Sequence, residues 1–147
     1  MTKKEIIKWL LRGDVAIQYQ VHKNLLSDDR KDLRDRIAHE GWGKKFLSRQ
    51  NKNGHWGRSY YQPKWTSTHY VLLDLKNLAI NPQNPAILKT IDIVLDEEKG
   101  PDGGINTSPT ILESDVCLNG MFLNFAAYFK SDEKTGVRII SCSITLG

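Results

Sequence analysis

The feature that most constrains the fold is an internal repeat with a period of about 48 residues. Residues 46–85, which begin with "FLSRQNKNGHW", align with residues 93–133, which begin with "IVLDEEKGPDGGI". The alignment pairs Gly54 with Gly103, Trp56 with Ile105, His69 with Cys117, and Leu75 with Leu123. Each copy predicts one helix, a glycine-centred turn with an irregular loop, and a second helix. Because a pair of helices cannot bury its apolar faces alone, such units stack side by side.

Apolar residues recur at helical spacing along the chain, and no stretch alternates convincingly at period two. Helices are predicted over residues 3–12, 15–26, 28–39, 43–51, 68–79, 85–98 and 113–129, with a last helix from about Asp132. The expected N-caps are Asp14, Ser27 or Asp28, and Thr66 or Ser67, and Pro85 suits a first helical turn. The helix over 113–129 is apolar on nearly every side, so we expect it to be largely buried. The chain is therefore predicted to be all-α.

Composition describes a chain of one domain that bears little net charge. The formal charge is +4 over 147 residues, and basic residues are interleaved with acids, so we expect no nucleic-acid partner. The first apolar run is too short for a membrane span or a signal peptide, which makes the cytoplasm the expected location. The cysteines, Cys117 and Cys142, have neither the number nor the spacing of a disulfide framework or a zinc knuckle.

The segment over residues 50–70 is dense in aromatic and histidine side chains, and its first part carries Gln50, Gly54 and Trp56. A glutamine at a helix end can pair with the unsatisfied backbone groups there and at a neighbouring helix. A glycine supplies the positive φ that reverses the chain, and a tryptophan can bury a large area between adjacent units. We interpret Gln50, Gly54 and Trp56 as a structural staple between stacked hairpins and not as a catalytic site. His55, in the same loop, is expected to be exposed.

The segment "FLSRQNKNGHW" resembles the QW motif of the terpenoid cyclase and protein prenyltransferase superfamily, and "GPDGGI" is similar to a degenerate copy without the Gln or the Trp. The resemblance covers roughly residues 40–130. It implies an α/α toroid, in which helical hairpins surround an apolar cavity for isoprenoid chains. Residues 41–92 form a first QW-like unit and residues 93–147 a second, degenerate and incomplete one. Residues 1–40 precede them as helices with the short capped pairs of HEAT-like repeats.

The catalytic motifs that this superfamily implies are missing: the sequence has no DxDD acid cluster and no DDxxD magnesium site. The prenyltransferases of the superfamily bind zinc through an Asp-x-Cys pair and a later His, and Asp115 and Cys117 stand at nearly the position of that pair. Because the third ligand has no counterpart, we expect neither zinc nor another cofactor. Asp115 is instead predicted to N-cap its helix, and Cys117 to be a small buried apolar residue.

Five residues are candidates for lining a ligand cavity: Trp65, His69, Tyr70, Asp115 and Phe122. No acid partner for His69 can be identified in the sequence, so a hydrogen-bonded structural role is favoured for it. The leading hypothesis is a terpenoid-cyclase-like repeat protein whose full-length form binds an apolar, isoprenoid-like ligand, without turnover by this chain alone. The alternative is a non-enzymatic scaffold for protein–protein interaction, and the third hypothesis is a zinc prenyltransferase remnant.

The C-terminal segment "VRIISCSITLG" begins like an outer helix but lacks the Gln and Gly-x-Trp that would close its unit. An unclosed toroid leaves the apolar flank of its last helix uncovered. We therefore expect either that the chain is a truncated form of a longer protein, or that a protein partner or a second copy of the chain covers this flank.

Overall fold

The computed structural model describes residues 2–108 and 110–129. The regular secondary structure of these residues is helical, as the periodicity predicts. The described helices are α1 (Lys3–Leu10), α2 (Val15–Leu25), α3 (Lys31–Arg36), α4 (Gly41–Leu47), α5 (Thr68–Asn77), α6 (Pro85–Glu97) and α7 (Val116–Phe129). These ranges contain no strand, only an isolated antiparallel bridge between Lys99 and Ile105. None of the helices within them combines the length and apolarity needed to cross a bilayer. The last predicted helix, the predicted turn over 130–132 and the segment "VRIISCSITLG" lie outside the described residues.

The described residues divide into two compact units. The first contains residues 2–49 and 77–81, and the second contains residues 50–76, 82–108 and 110–129. Helices α1 to α4 belong to the first unit and α6 and α7 to the second, which also holds α5 apart from its last residue. The single domain with segment boundaries at residues 40 and 92 stays a prediction.

In the first unit, α2 packs against α1, α3 and α4. Asp14 caps α2 as predicted, because its carboxylate accepts the Ala16 amide at 2.9 Å. The other carboxylate oxygen accepts the Trp42 amide at the start of α4, also at 2.9 Å. Tyr19 has no exposed surface, and its hydroxyl donates to Asp29 over 3.0 Å. A buried aromatic ring with its hydroxyl paired is the largest apolar contribution to this small core.

The third helix is shorter than predicted, and neither Ser27 nor Asp28 caps it. Ser27 has a φ of 55°, in the left-handed region, whereas an N-cap residue needs an extended backbone. The helix therefore begins only at Lys31, after Arg30, which makes no side-chain cap.

In the second unit, α6 packs against α7. Asn84 caps α6 and Pro85 occupies its first turn, as the sequence predicts for Pro85. Helix α7 begins at Val116, three residues later than predicted, because the Asp115 carboxylate caps it by accepting the Leu118 amide at 2.8 Å. Contrary to expectation, α7 buries one face and not nearly every side. The buried residues are Leu118, Asn119, Phe122, Phe125, Ala126 and Phe129.

A glycine-centred loop precedes α5. The Asn51 amide donates to the His55 carbonyl at 2.8 Å, and the Gly54 amide donates to the Asn51 carbonyl at 2.9 Å. The Asn53 side chain accepts the His55 amide at 3.2 Å. Gly54 has a φ of +87°, which glycine adopts without the steric penalty of other residues. Trp56 follows this turn and is 2% exposed.

The loop before α7 makes the same three hydrogen bonds with residues that stand 49 positions further along. The Gly100 amide donates to the Gly104 carbonyl at 2.8 Å, and the Gly103 amide to the Gly100 carbonyl at 3.0 Å. The Asp102 side chain accepts the Gly104 amide at 3.1 Å. Gly103 has a φ of +84°, and Ile105 follows the turn fully buried. The two loops therefore have the same turn geometry.

Candidate functional site

Gln50 connects the first loop to the middle of α6. Its side-chain nitrogen donates to the Gly54 carbonyl at 3.0 Å and to the Thr90 hydroxyl oxygen at 2.8 Å. A Cβ added to Gly54 would lie 2.6 Å from Cδ1 of Ile93, so the loop lies tightly against this helix. The partners of Gln50 are thus a loop carbonyl and a helix side chain, not the helix-end groups expected. Its role between stacked hairpins stays a prediction.

Thr68, the first residue of α5, holds the backbone of Trp56. Its hydroxyl oxygen accepts the Trp56 amide at 2.9 Å, and its own amide donates to the Trp56 carbonyl at 3.1 Å. Both residues are buried. Removing a buried tryptophan side chain costs about 3–5 kcal/mol, so the buried ring of Trp56 stabilises this loop.

His55 is buried, with 4% of its surface exposed, and the expectation of an exposed side chain is wrong. Its Nδ1 lies 3.0 Å from the Thr68 hydroxyl oxygen, and its Nε2 lies 3.3 Å from a carboxylate oxygen of Glu97. A hydroxyl, an imidazole and a carboxylate in this order resemble a hydrolytic triad. Thr68 has no exposed surface, however, so a substrate cannot reach its oxygen. We interpret the three residues as a structural network.

His69 lies at the start of α5 in a cage of aromatic rings and is 1% exposed. Its Nδ1 is 2.7 Å from the Tyr60 hydroxyl. The rings of Tyr60, Tyr61, Tyr70 and Phe125 meet it edge-on, with centroids 5.1–5.5 Å away. Burial lowers the pKa of His69 to about 4 and raises the pKa of Tyr60 well above its usual range. At neutral pH, the protonated phenol therefore donates to an uncharged imidazole.

Tyr61, Tyr70 and Trp65 form an aromatic surface beside this cage. The Tyr70 hydroxyl donates to the Tyr61 hydroxyl at 3.0 Å, and the two rings stack with centroids 5.6 Å apart. The Trp65 ring lies 5.0 Å from the Tyr70 ring and is 70% exposed. Burial, helped by the hydrogen bond to Tyr61, raises the pKa of Tyr70 to about 12. Tyr61 and Tyr70 are half-buried, and the Nζ of Lys64 lies 5.2 Å from the centroid of the exposed Trp65 ring. An aromatic surface held in place in this way suits an apolar group.

A pocket of about 250 Å³ continues from Tyr61 along the start of α7. Ile105, Ile111, Leu118 and Met121 give it apolar walls, and Asp115 and Cys117 line it as well. Small-molecule sites usually measure about 300–1,000 Å³. The pocket therefore has room for one short apolar group and not for a whole isoprenoid chain.

Cys117 is exposed, so the expectation of a buried cysteine is wrong. The reason is that α7 buries only the face that carries Leu118 and Phe122, and Cys117 lies off this face. Within residues 2–108 and 110–129, no three His, Cys, Asp or Glu side chains come together in a group that could hold a metal ion.

Asn119 and Asp102 hold the wall of the pocket, and neither was predicted as a site residue. The Asn119 side chain accepts the Ile105 amide at 2.7 Å and donates to the Ile105 carbonyl at 2.8 Å. Asp102 accepts the amide and the hydroxyl of Ser114 at 2.6 and 2.7 Å, and these hydrogen bonds lower its pKa. The sequence signal that could have identified Asn119 was its position on the apolar face of a predicted helix, because a buried polar side chain needs a hydrogen-bond partner.

The structure places the five cavity candidates at different depths. Asp115 lines the pocket, Trp65 and Tyr70 belong to the aromatic surface, and His69 and Phe122 lie in the core at 1% and 2% exposed. Tyr61, which was not among the candidates, connects the aromatic surface to the pocket. Their role in binding a ligand stays a prediction. The chain matches no family model, no curated protein and no solved structure.

Proposed function

We propose that the chain is a terpenoid-cyclase-like helical repeat protein that binds an apolar, isoprenoid-like ligand at the pocket and the aromatic surface. The observation that carries this proposal is the continuity of the two through Tyr61, which stacks on Tyr70 and lines the pocket. A short apolar end fits the 250 Å³ pocket, and the remaining chain lies along Tyr70 and Trp65. Burial of aliphatic groups contributes about 25 cal/mol per Å².

The turns support the repeat on which the proposed toroid depends. Three hydrogen bonds and one left-handed glycine recur after 49 positions, and each turn is followed by a buried residue and a helix. Equal turns separated by a constant distance are typical of a stacked helical repeat. The toroid itself is part of the proposal.

The proposed role is binding without turnover. Two carboxylates line the pocket, those of Glu113 and Asp115, and Asp115 accepts the amide of Leu118 as a helix cap. His69 is buried and uncharged at neutral pH, so it is no proton donor to a ligand. The groups described at this site therefore bind and orient a ligand and do not protonate an alkene.

Equilibrium dialysis with labelled farnesol tests the proposal. Wild-type protein is expected to bind saturably, and Trp65→Ala to bind about fivefold more weakly, because it loses an aromatic contact worth about 1 kcal/mol. Cys117→Trp fills the pocket from an exposed position and is expected to block binding. Trp42→Ala removes an exposed tryptophan from the other unit and serves as the control. Equal binding by all four proteins would refute the assignment of the site.

A scaffold for protein–protein interaction is the second candidate, because large apolar side chains are exposed in the second unit. They are Trp65, Ile111, Leu112 and Val116, at 56–75% exposed. Exposed apolar patches mark protein interfaces as well as ligand sites. Self-association in sedimentation equilibrium that Leu112→Ser abolishes, with no farnesol binding by the wild type, would favour this candidate over the first.

A further inference from the structure

The net charge of the protein is concentrated on α1 and the two residues that follow it. Residues 3–12 contain Lys3, Lys4, Lys8 and Arg12 against the single acid Glu5. This stretch contributes +3 of the formal net charge of +4, since the chain has 21 basic and 17 acidic residues. The rest of the chain, in which basic and acidic residues are interleaved, is left with a net charge of only +1.

The basic groups of residues 3–12 are available to a partner. All four basic residues are exposed, and no ion pair joins any of them to an acid within the described residues. The one acid, Glu5, is held locally, because its carboxylate accepts the backbone amide of Thr2 at 2.7 Å in a capping box. The local positive potential is therefore not neutralised by neighbouring side chains.

The same helix presents an apolar face that the first unit leaves uncovered. None of the residues of α1 is buried, and Ile6 and Trp9 are 39% and 66% exposed. Leu10 follows Ile6 by four positions and therefore lies on the same face. An open groove of about 420 Å³, lined by Trp9, Leu10, Arg12, Gly13 and Ile17, continues this face onto α2. The exposed apolar area is thus a continuous strip bordered by basic residues.

We propose that α1 and this groove form a peripheral binding surface for membranes rich in anionic lipid. An amphipathic helix with lysines on its polar face and a tryptophan on the other lies in the plane of the interface, its apolar face among the acyl chains. Trp9 then sits at the headgroup level, which tryptophan favours, and Lys4, Lys8 and Arg12 contact lipid phosphates. The charge complementarity favours anionic lipid, and the exposed apolar side chains distinguish this surface from a site for nucleic acid.

Co-sedimentation with phosphatidylcholine vesicles, prepared with and without phosphatidylglycerol, tests the proposal. Wild-type protein is expected to bind the anionic vesicles and to be released at about 1 M salt, where the Debye length falls to about 3 Å. Each lysine near an anionic surface strengthens binding about fivefold, so Lys4→Glu/Lys8→Glu is expected to bind at least about 25-fold more weakly. Lys31→Glu/Lys52→Glu makes the same change in net charge at other exposed positions and should weaken binding far less.

Trp9→Ala separates the apolar contribution from the charge. It should weaken vesicle binding while circular dichroism and farnesol binding stay unchanged, because Trp9 is mostly exposed and lies in the other unit. Three results would overturn the proposal. The first is that the wild type does not bind anionic vesicles, and the second is that the two double-lysine variants lose equal amounts of vesicle binding. The third is that the wild type forms a dimer that Trp9→Ala abolishes and does not bind vesicles. The last result would make this face a protein interface.

Discussion

Acidification should destabilise the fold through His69, which is buried beside Tyr60 and uncharged when folded. Its pKa is about 4 in the folded protein against an ordinary value of 6.5, so below pH 6.5 the unfolded chain takes up a proton that the folded chain does not. The contribution of uncharged His69 to the free energy of unfolding is fully present above pH 6.5 and is lost as the pH falls towards 4. A protonated ring would also lose the hydrogen bond that Nδ1 accepts from Tyr60.

The difference between the pKa values of His69 in the folded and the unfolded chain sets the size of this loss of stability. Complete loss amounts to about 3 kcal/mol, and the loss at about pH 5 is about 2 kcal/mol. This is a large fraction of the 5–15 kcal/mol that typically stabilises a small protein, at about 25 °C. The range between about pH 7.5 and pH 5 is the informative one, because carboxylates with low pKa values, such as those of Asp32 and Asp102, titrate below it.

Urea unfolding at several pH values measures the effect. His69→Gln keeps an acceptor for the Tyr60 hydroxyl but has no titrating group, so the wild type should lose about 2 kcal/mol more than this variant between about pH 7.5 and pH 5. Taking the difference between the two proteins removes the contribution of Glu98, whose pKa burial raises and whose effect has the opposite sign. His39→Gln, at an exposed histidine, is the control and should behave as the wild type. The same pH dependence in the wild type and His69→Gln would refute the reasoning.

Three further predictions concern the loops and the pocket. Gly54→Ala should lower the free energy of unfolding by at least about 1 kcal/mol in urea, because the φ of +87° is left-handed and the new Cβ meets Ile93; unchanged stability would show that the turn relaxes. Asn119→Ala should cost about 3 kcal/mol in the same assay, because it leaves the buried amide and carbonyl of Ile105 without partners. Maleimide should label Cys117 in the folded protein, as peptide mapping by mass spectrometry would detect, and protection would contradict its exposure.

Helix positions could be predicted from the sequence where a local signal specifies them. Asp14 before α2 and Pro85 at the start of α6 act within one turn of their own position, so neighbouring residues suffice to identify them. The prediction failed at Ser27, where the local signal for an N-cap competes with the end of α2. A serine can serve either function, and the choice depends on how the preceding helix ends.

The burial of side chains in the loops could not be predicted, because it depends on residues that are distant in sequence. His55 is buried because Thr68 and Glu97 both reach it, from 13 and 42 positions further along the chain. Cys117 is exposed because the packed face of α7 is fixed by the neighbouring helix, not by the apolar character of α7 alone. Hydrophobic periodicity identifies the face of an amphipathic helix, but it identifies no face when nearly every position is apolar.

Comparison of the loops before α5 and α7 shows which residues form the turn and which residue attaches the first loop to α6. The second loop has neither the glutamine nor the tryptophan of the first, yet it makes the same three hydrogen bonds around Gly103. The turn therefore depends on a left-handed glycine and on the side chain one position before it, Asn53 in the first loop and Asp102 in the second. Gln50 adds the attachment of the first loop to α6. A loop without that glutamine and tryptophan thus adopts the same backbone geometry, and the feature that the two loops share is an Asn or Asp side chain directly before a left-handed glycine.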